Sequence, residues 1–170
     1  MKQVASLVDA YLNIETTGLS LPYHYVNVVG VYRVSVIGSS LVQLAGEKVT
    51  VGSLLKALDG VSNIYTYNGQ RFDIPFILNS VGIDLRNIAD HHDLIYDCWR
   101  CNLHGGLRAV ERQLGISRQM SGINGYDAVL LWHRYLKYGD QESLATLLAY
   151  NRENVANLRY LRESLAILLG

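Results

Sequence analysis

No apolar run in the 170-residue chain approaches the roughly 18 residues that a membrane-spanning helix needs, so no span is expected. Net charge is lacking too. Fifteen Lys and Arg balance fifteen Asp and Glu, which excludes a global basic field of the kind that draws a protein onto nucleic acid. Any nucleic-acid contact must come from a local patch. Cysteine is scarce, at two residues, and the N-terminus has no basic region followed by a long apolar stretch. Together with a globular composition, these features point to the cytoplasm. Repeats, low-complexity segments and linkers are absent as well. What remains is a composition 49% apolar and 18% charged, enough for a core and without a signature of disorder. One domain over residues 1–170 is expected.

The chain opens with β-type text. "SLVDAYLNIE" ends in the turn "TTGLSLP"; "YHYVNVVGVYRVSV" and "SSLVQLAG" follow, which predicts a three-stranded antiparallel meander. "VGSLLKALDGV" carries Leu54, Leu55 and Leu58 at helical spacing and a stop at Gly60. "NIYTYNG" reads as a short strand. "RFDIPFILNSVG" reads as a helix that tolerates Pro75 in its first turn. Helices then dominate: "HDLIYDCWRCNL", "LRAVERQLG", "YDAVLLWHRYLKYG" and a nearly unbroken one from about residue 141 to the end. The order β-β-β-α-β-α followed by helices predicts a mixed sheet with helices against it.

Three places can carry chemistry. On a strand, Asn13 and Glu15 share a face, because side chains alternate. Asp73 falls just past a strand end near a helix start, a position that often carries active-site groups. Read alone, it would more often be an acid favouring the helix dipole. Tyr150 and Asn154 sit i, i+4 on the last helix and share a face.

"IETTGL", "YNGQRFDIPF" and "YNRENV" together resemble the three motifs of the DEDD 3′–5′ exonucleases, within the ribonuclease H-like superfamily. That family has Asp-x-Glu on its first strand, an Asp after its central strand and a last Asp on a C-terminal helix. Tyr150, four residues before position 154, fits the tyrosine subtype; the histidine subtype would have His where this chain has Ala149. "TYNGQRFDIPF", "HHDLIYDCWR", "LRAVERQLGI" and "SGINGYDAVLLWHRYLKYGD" are similar to a branch of predicted ribonuclease H-like exonucleases, so the resemblance covers about residues 8–162. It implies an α/β ribonuclease H-like fold, with a five-stranded mixed sheet flanked by helices. It implies two Mg²⁺ or Mn²⁺ ions held at positions 13, 15, 73 and 154, with Tyr150 orienting the attacking water. The substrate implied is single-stranded nucleic acid, DNA more than RNA. Thr17, Gly18 and Leu19, with Asn68 and Phe72, would bind the terminal nucleotide; Arg100 and Arg108 would track phosphates.

Two positions depart from the pattern, since Asn13 and Asn154 stand where it has Asp. Two ions about 3.5–4 Å apart around a phosphate want carboxylates. Asparagine keeps the shape and one acceptor oxygen but lacks the charge. Fold and groove are expected to survive while metal affinity and turnover fall. Two isosteric changes at two ligand positions read as deliberate inactivation; a natural, catalytically dead nucleic-acid-binding module is the alternative.

The remaining features have plainer readings. Cys98 and Cys101, with histidines nearby, lie in an apparent helix without a second C-x-x-C, so free thiols are expected before zinc. Arg71, Arg112 and Arg118 are each read first as solvated charges, though with Arg100 and Arg108 they could line a groove. Tyr23, His24 and Tyr25 are read as strand-packing residues before base-stacking ones. The Leu158, Leu161, Leu165, Leu168 stripe is read as core or as the interface of a homo-oligomer.

Overall fold

Alternation along "DAYLNIET" builds the centre of the molecule. Ala10, Leu12 and Ile14 enter one core, while Tyr11 enters a second core on the opposite face. A strand buried on both faces belongs in the middle of a sheet, and β1 (Asp9–Thr16) lies there. The computed structural model describes residues 7–170; Ser6, placed above in the first strand, lies outside them.

β1 pairs antiparallel with β2 (Val26–Ser35), which pairs antiparallel with β3 (Gly38–Ala45). On its other edge β1 pairs parallel with β4 (Asn63–Thr66), and β4 pairs parallel with β5 (Asp90–Asp93). The sheet is therefore five-stranded and mixed, in the order β3-β2-β1-β4-β5. A bulge interrupts the β1–β2 register between Glu15 and Thr16. Bulges re-aim side chains, and this one falls where β1 reaches the candidate site.

Six helices flank the sheet: α1 (Val51–Ala57), α2 (Asp73–Val81), α3 (Leu94–Arg100), α4 (Leu107–Leu114), α5 (Gly125–Tyr138) and α6 (Gln141–Leu169). Caps set their ends. Thr50 accepts from Ser53 N at α1, Asn124 and Asp127 form a capping box at α5, and Asp140 accepts from Glu142 N and Ser143 N at α6. Gly82, Gly115 and Gly139 close α2, α4 and α5 in the left-handed conformation.

α6 lies across β1 and is tied to it at two points along its middle. At the first, Asn151 Nδ2 donates to the Asn13 carbonyl at 3.1 Å. Farther along, Leu158, Leu161 and Leu165 pack with Tyr11, Tyr65 and Val110. Arg162 then bonds Asp9 and the Tyr11 hydroxyl and places its guanidinium 3.9 Å from the Tyr65 ring centroid.

Four expectations need correction. Leu55 points outward, so the buried stripe of α1 is Leu54 and Ala57 with the capping Leu58. His92 and Asp93 belong to β5 and not to a helix; main-chain pairing with β4 makes this strand despite its polar text "DHHD". Tyr23 and Tyr25 are exposed and lie with His24 in the β1–β2 connection, so they do not pack as strand residues. Leu158, Leu161 and Leu165 are core, as one of the two readings of that stripe had it, whereas Leu168 is exposed and leaves the core.

Candidate active site

Three elements converge beside the C-terminal half of β1. β1 supplies Asn13 and Glu15, the first residue of α2 supplies Asp73, and α6 supplies Tyr150, Asn151 and Asn154. Asp73 is buried and accepts from the Ile14 main-chain N–H at 3.1 Å, which joins the helix start to the strand. The loop before it is held by Asp93, whose carboxylate accepts from Asn68 N at 2.7 Å and Gln70 N at 3.0 Å. Asn68 there adopts a left-handed conformation, φ 58°, a backbone state that asparagine tolerates better than most residues.

These residues border two adjoining hollows. One, of about 260 Å³, lies against Asn13, Glu15, Arg108, Tyr150 and Asn154. The other, of about 460 Å³, continues past Asp73, Asn68, Phe72 and Leu19. Larger grooves lie elsewhere, by the β2–β3 hairpin and beside Trp132, away from Glu15 and Asp73.

Glu15 is the hub. Its Oε1 faces three amide groups: Asn13 Nδ2 at 2.9 Å, Asn151 Nδ2 at 3.3 Å and Asn154 Nδ2 at 3.4 Å. Burial still dominates, and with Asp73 nearby it pushes the Glu15 carboxyl up to about 8 against those three bonds. Burial pushes Asp73 up to about 7, opposed by its main-chain hydrogen bonds. Burial, and then the Glu15 charge, raises the Tyr150 hydroxyl.

Behind Asn154 lies a buried ion-pair cluster. Arg118 Nη1 donates to both oxygens of the fully buried Glu111 at 2.8 Å. Its Nη2 donates to Asn154 Oδ1 at 2.6 Å. Its Nε lies 3.2 Å from Glu153 but without hydrogen-bond alignment; the Glu153 carboxylate instead receives the main-chain N–H groups of Gln119 and Met120. Asn157 Nδ2 also donates to Glu111, and the Arg118 guanidinium lies 5.6 Å from the Tyr150 ring centroid.

A family model for the RNase H superfamily matches residues 10–166. The chain belongs to the RNase H superfamily. Among solved structures, this RNase H domain is similar to one titled "apo form of the nuclease", at 17% identity and a TM-score of 0.57, over 96% of this chain and 72% of that one. A second, an Exonuclease I from Methylocaldum szegediense, aligns at 14% identity and a TM-score of 0.46, over 77% of this chain and 41% of that one. No curated protein matches the chain in sequence. The five-stranded mixed sheet and its flanking helices are those of the RNase H-like fold.

Does this RNase H domain offer divalent ions a fitting donor set? Among the described residues no three His, Cys, Asp or Glu side chains converge as a metal site. Glu15 and Asp73 are the carboxylates in the cleft. Asn13 and Asn154 turn N–H groups toward Glu15, and the Asn154 oxygen is taken by Arg118. The residues present do not fit a pair of divalent cations: the amide hydrogens stand on the side of Glu15 where a cation would compete with them.

The other residues singled out in the sequence divide clearly. Leu19, Asn68 and Phe72 line the cleft, and Arg108 borders it while donating to the Ser121 carbonyl. Thr17 is buried, exchanges hydrogen bonds with Tyr25 and lies with its carbonyl 3.3 Å from His133 Nε2; Gly18 packs under the His24 ring. Both shape the turn that presents Leu19. Arg100 is exposed, pairs with Asp97 on α3 and does not reach the cleft. Arg118, read as a solvated charge, is instead buried at the site. Cys98 and Cys101 are free thiols, and Cys98 packs in the core. Sequence reading missed Asn151, Glu111 and Asp93. Asn151 had a usable signal, since it lies i−3 from Asn154 and so on the same helix face.

Proposed function

We propose that this chain is the inactivated form of a tyrosine-subtype 3′–5′ exonuclease. It engages the 3′ end of single-stranded nucleic acid, DNA in preference to RNA, and cleaves it weakly or not at all. One observation carries the reading. In an RNase H fold, Asn13, Glu15, Asp73, Tyr150 and Asn154 come from three elements to one cleft, in the order and spacing of the exonuclease motifs. The frame of a phosphodiester-cleaving centre is kept, while positions 13 and 154 carry amides in place of acids.

In this reading Phe72 offers a ring for the terminal base, which is sequence-tolerant because every base has a π-face, and Leu19 adds aliphatic surface beside it. Asn68 offers hydrogen bonds to the terminal sugar, and Arg108 a charge for a phosphate. Tyr150 is placed to bond a water beside the scissile phosphate. A second reading is favoured by the three amides on Glu15, which leave that carboxylate hydrogen-bonded without any ion: a binding module that never cleaves.

The test compares single-stranded oligonucleotides with free and blocked 3′ ends, by fluorescence anisotropy over a salt series. A free end should bind more tightly, and affinity should fall with salt as phosphate contacts release counterions. Equal binding of the two ends would overturn the 3′-end reading. Asn13→Asp with Asn154→Asp should then release mononucleotides from a 3′-labelled strand with Mg²⁺ or Mn²⁺ and not with chelator. A folded double variant that binds 3′ ends but releases nothing would favour the binding module.

A further inference from the structure

Asn154 has one oxygen and one NH2 group, and its two neighbours dictate which way each faces. Arg118 has only donors, so the group facing it must be the oxygen. Glu15 Oε1 already accepts from Asn13 Nδ2 and Asn151 Nδ2, so it is an acceptor even when the carboxyl carries a proton on its other oxygen, and the group facing it must be the NH2. The distances agree: Arg118 Nη2 to Asn154 Oδ1 is 2.6 Å, and Asn154 Nδ2 to Glu15 Oε1 is 3.4 Å. Arg118 cannot easily turn away. Its other fork is bidentate on Glu111, which is fully buried and is held in turn by Asn157. The Arg118 side chain itself is 6% exposed.

We propose that Arg118 is a positioning residue for the side chain at position 154. It holds one oxygen of that side chain on the side away from Glu15. An aspartate there would then present its second oxygen to the cleft, whereas an asparagine presents N–H. The substitution thus does more than remove a charge: with Arg118 in place it reverses the polarity of the group facing Glu15. Flipping the amide would set a carbonyl oxygen against Glu15 and an NH2 group against a guanidinium, two mismatches at once. The proposal rests on the exonuclease reading for its use but not for its geometry.

Two measurements test it without reading activity. In the double variant Asn13→Asp/Asn154→Asp, Mn²⁺ binding is followed by the free-ion electron paramagnetic resonance signal, with and without Arg118→Lys. Lysine keeps the charge but cannot bond Glu111 and position 154 with one planar fork. Loss of a group that orients a ligand costs about 10–100-fold in metal affinity, so at least a tenfold loss is expected, at temperatures where circular dichroism shows both proteins folded. Affinities within threefold of each other overturn the proposal; a double variant that binds no Mn²⁺ overturns the exonuclease reading instead, and the NMR contact then decides the proposal. In the unchanged chain, NMR should show the Asn154 side-chain NH2 protons in contact with the Glu15 methylene protons. Contacts to the Arg118 side instead would overturn it, whether or not the Arg118→Lys protein folds. Neither result touches 3′-end binding, which the oligonucleotide comparison decides separately.

Discussion

Restoring both acids should weaken the metal-free protein and make its stability depend on a divalent ion. Asn13→Asp with Asn154→Asp takes the formal net charge from 0 to −2, one unit per substitution. Two of the three N–H groups facing Glu15 Oε1 disappear, those at 2.9 and 3.4 Å, leaving only Asn151. Above about pH 8, where Glu15 is ionised, each hydrogen bond to its charge contributes about 1.5–3 kcal/mol. Two carboxylates about 4 Å apart repel by about 4 kcal/mol at an effective dielectric of 20. Proton uptake relieves part of that repulsion, and Arg118 gains a charged partner at position 154. A net loss of about 3–6 kcal/mol is expected in chelator, a large share of a typical domain's 5–15 kcal/mol. An ion held at 100 times its dissociation constant returns about 2.7 kcal/mol. The assay is urea unfolding followed by circular dichroism, in EDTA and in millimolar Mn²⁺, for both proteins. The unchanged chain should give the same curve in both buffers, and the double variant should be destabilised in EDTA and recover in Mn²⁺. A double variant as stable as its parent in EDTA would refute the account of Glu15 as a carboxylate held by amides.

Other outcomes follow from the same geometry. The folded state holds the Glu15 proton up to about 8, against an ordinary 4.5. It therefore binds more protons than the unfolded chain between those values, and stability should fall as pH rises from about 5 to 8. Asp73, raised to about 7, adds to the fall, so Glu15→Gln should reduce that slope in urea titrations and confine it to below about pH 7, and an unchanged slope would count against it. Gly30→Ala would drive a Cβ into Asn151 Oδ1 and close to Val155, so it should cost about 1–3 kcal/mol, read by urea unfolding. Leu19 is 76% exposed, so Leu19→Ala should leave stability unchanged yet, through lost burial of its methyl groups against the bound strand, weaken oligonucleotide binding by about 1 kcal/mol, a several-fold rise in Kd by anisotropy.

The main frame was legible because its signals are local and periodic. The β-rich text of β1 reads as a strand, and the turns "TTGLSLP" and "YNG" separate elements that the fold keeps separate. α6 was legible as one long helix because nothing in its text breaks it. β5 was not: an edge strand of four polar residues is made by main-chain pairing with β4, and its side chains carry no period to read. Glu15, Asp73, Asn13 and Asn154 could be picked from their motifs, but the ion pairs behind them could not. Arg118 meets Asn154 across 36 residues and Glu111 across seven, and nothing near it in the text marks it off from a solvated arginine. Asp93 looked like part of a helix, whereas its carboxylate caps α3 and braces the loop ahead of Asp73.

The double attachment of α6 to β1 makes the helix a gauge for the cleft. From Asn154 to Arg162 is eight residues, about 12 Å of helix at 1.5 Å per residue. With only the Arg162 end pinned, a tilt of about 10° would swing Asn154 by about 2 Å, enough to part it from Glu15 given that useful hydrogen bonds span only about 0.5 Å in length. With only the Asn151 end pinned, the helix could roll and carry Tyr150 off the cleft. Held at both, neither tilt nor roll is free, so the alignment of the cleft side chains is set partly by Asp9, Tyr11 and Tyr65 at the far end of the sheet. Loosening that distant clasp, as in Arg162→Ala, is then a change to the cleft itself, made without touching a single residue that lines it.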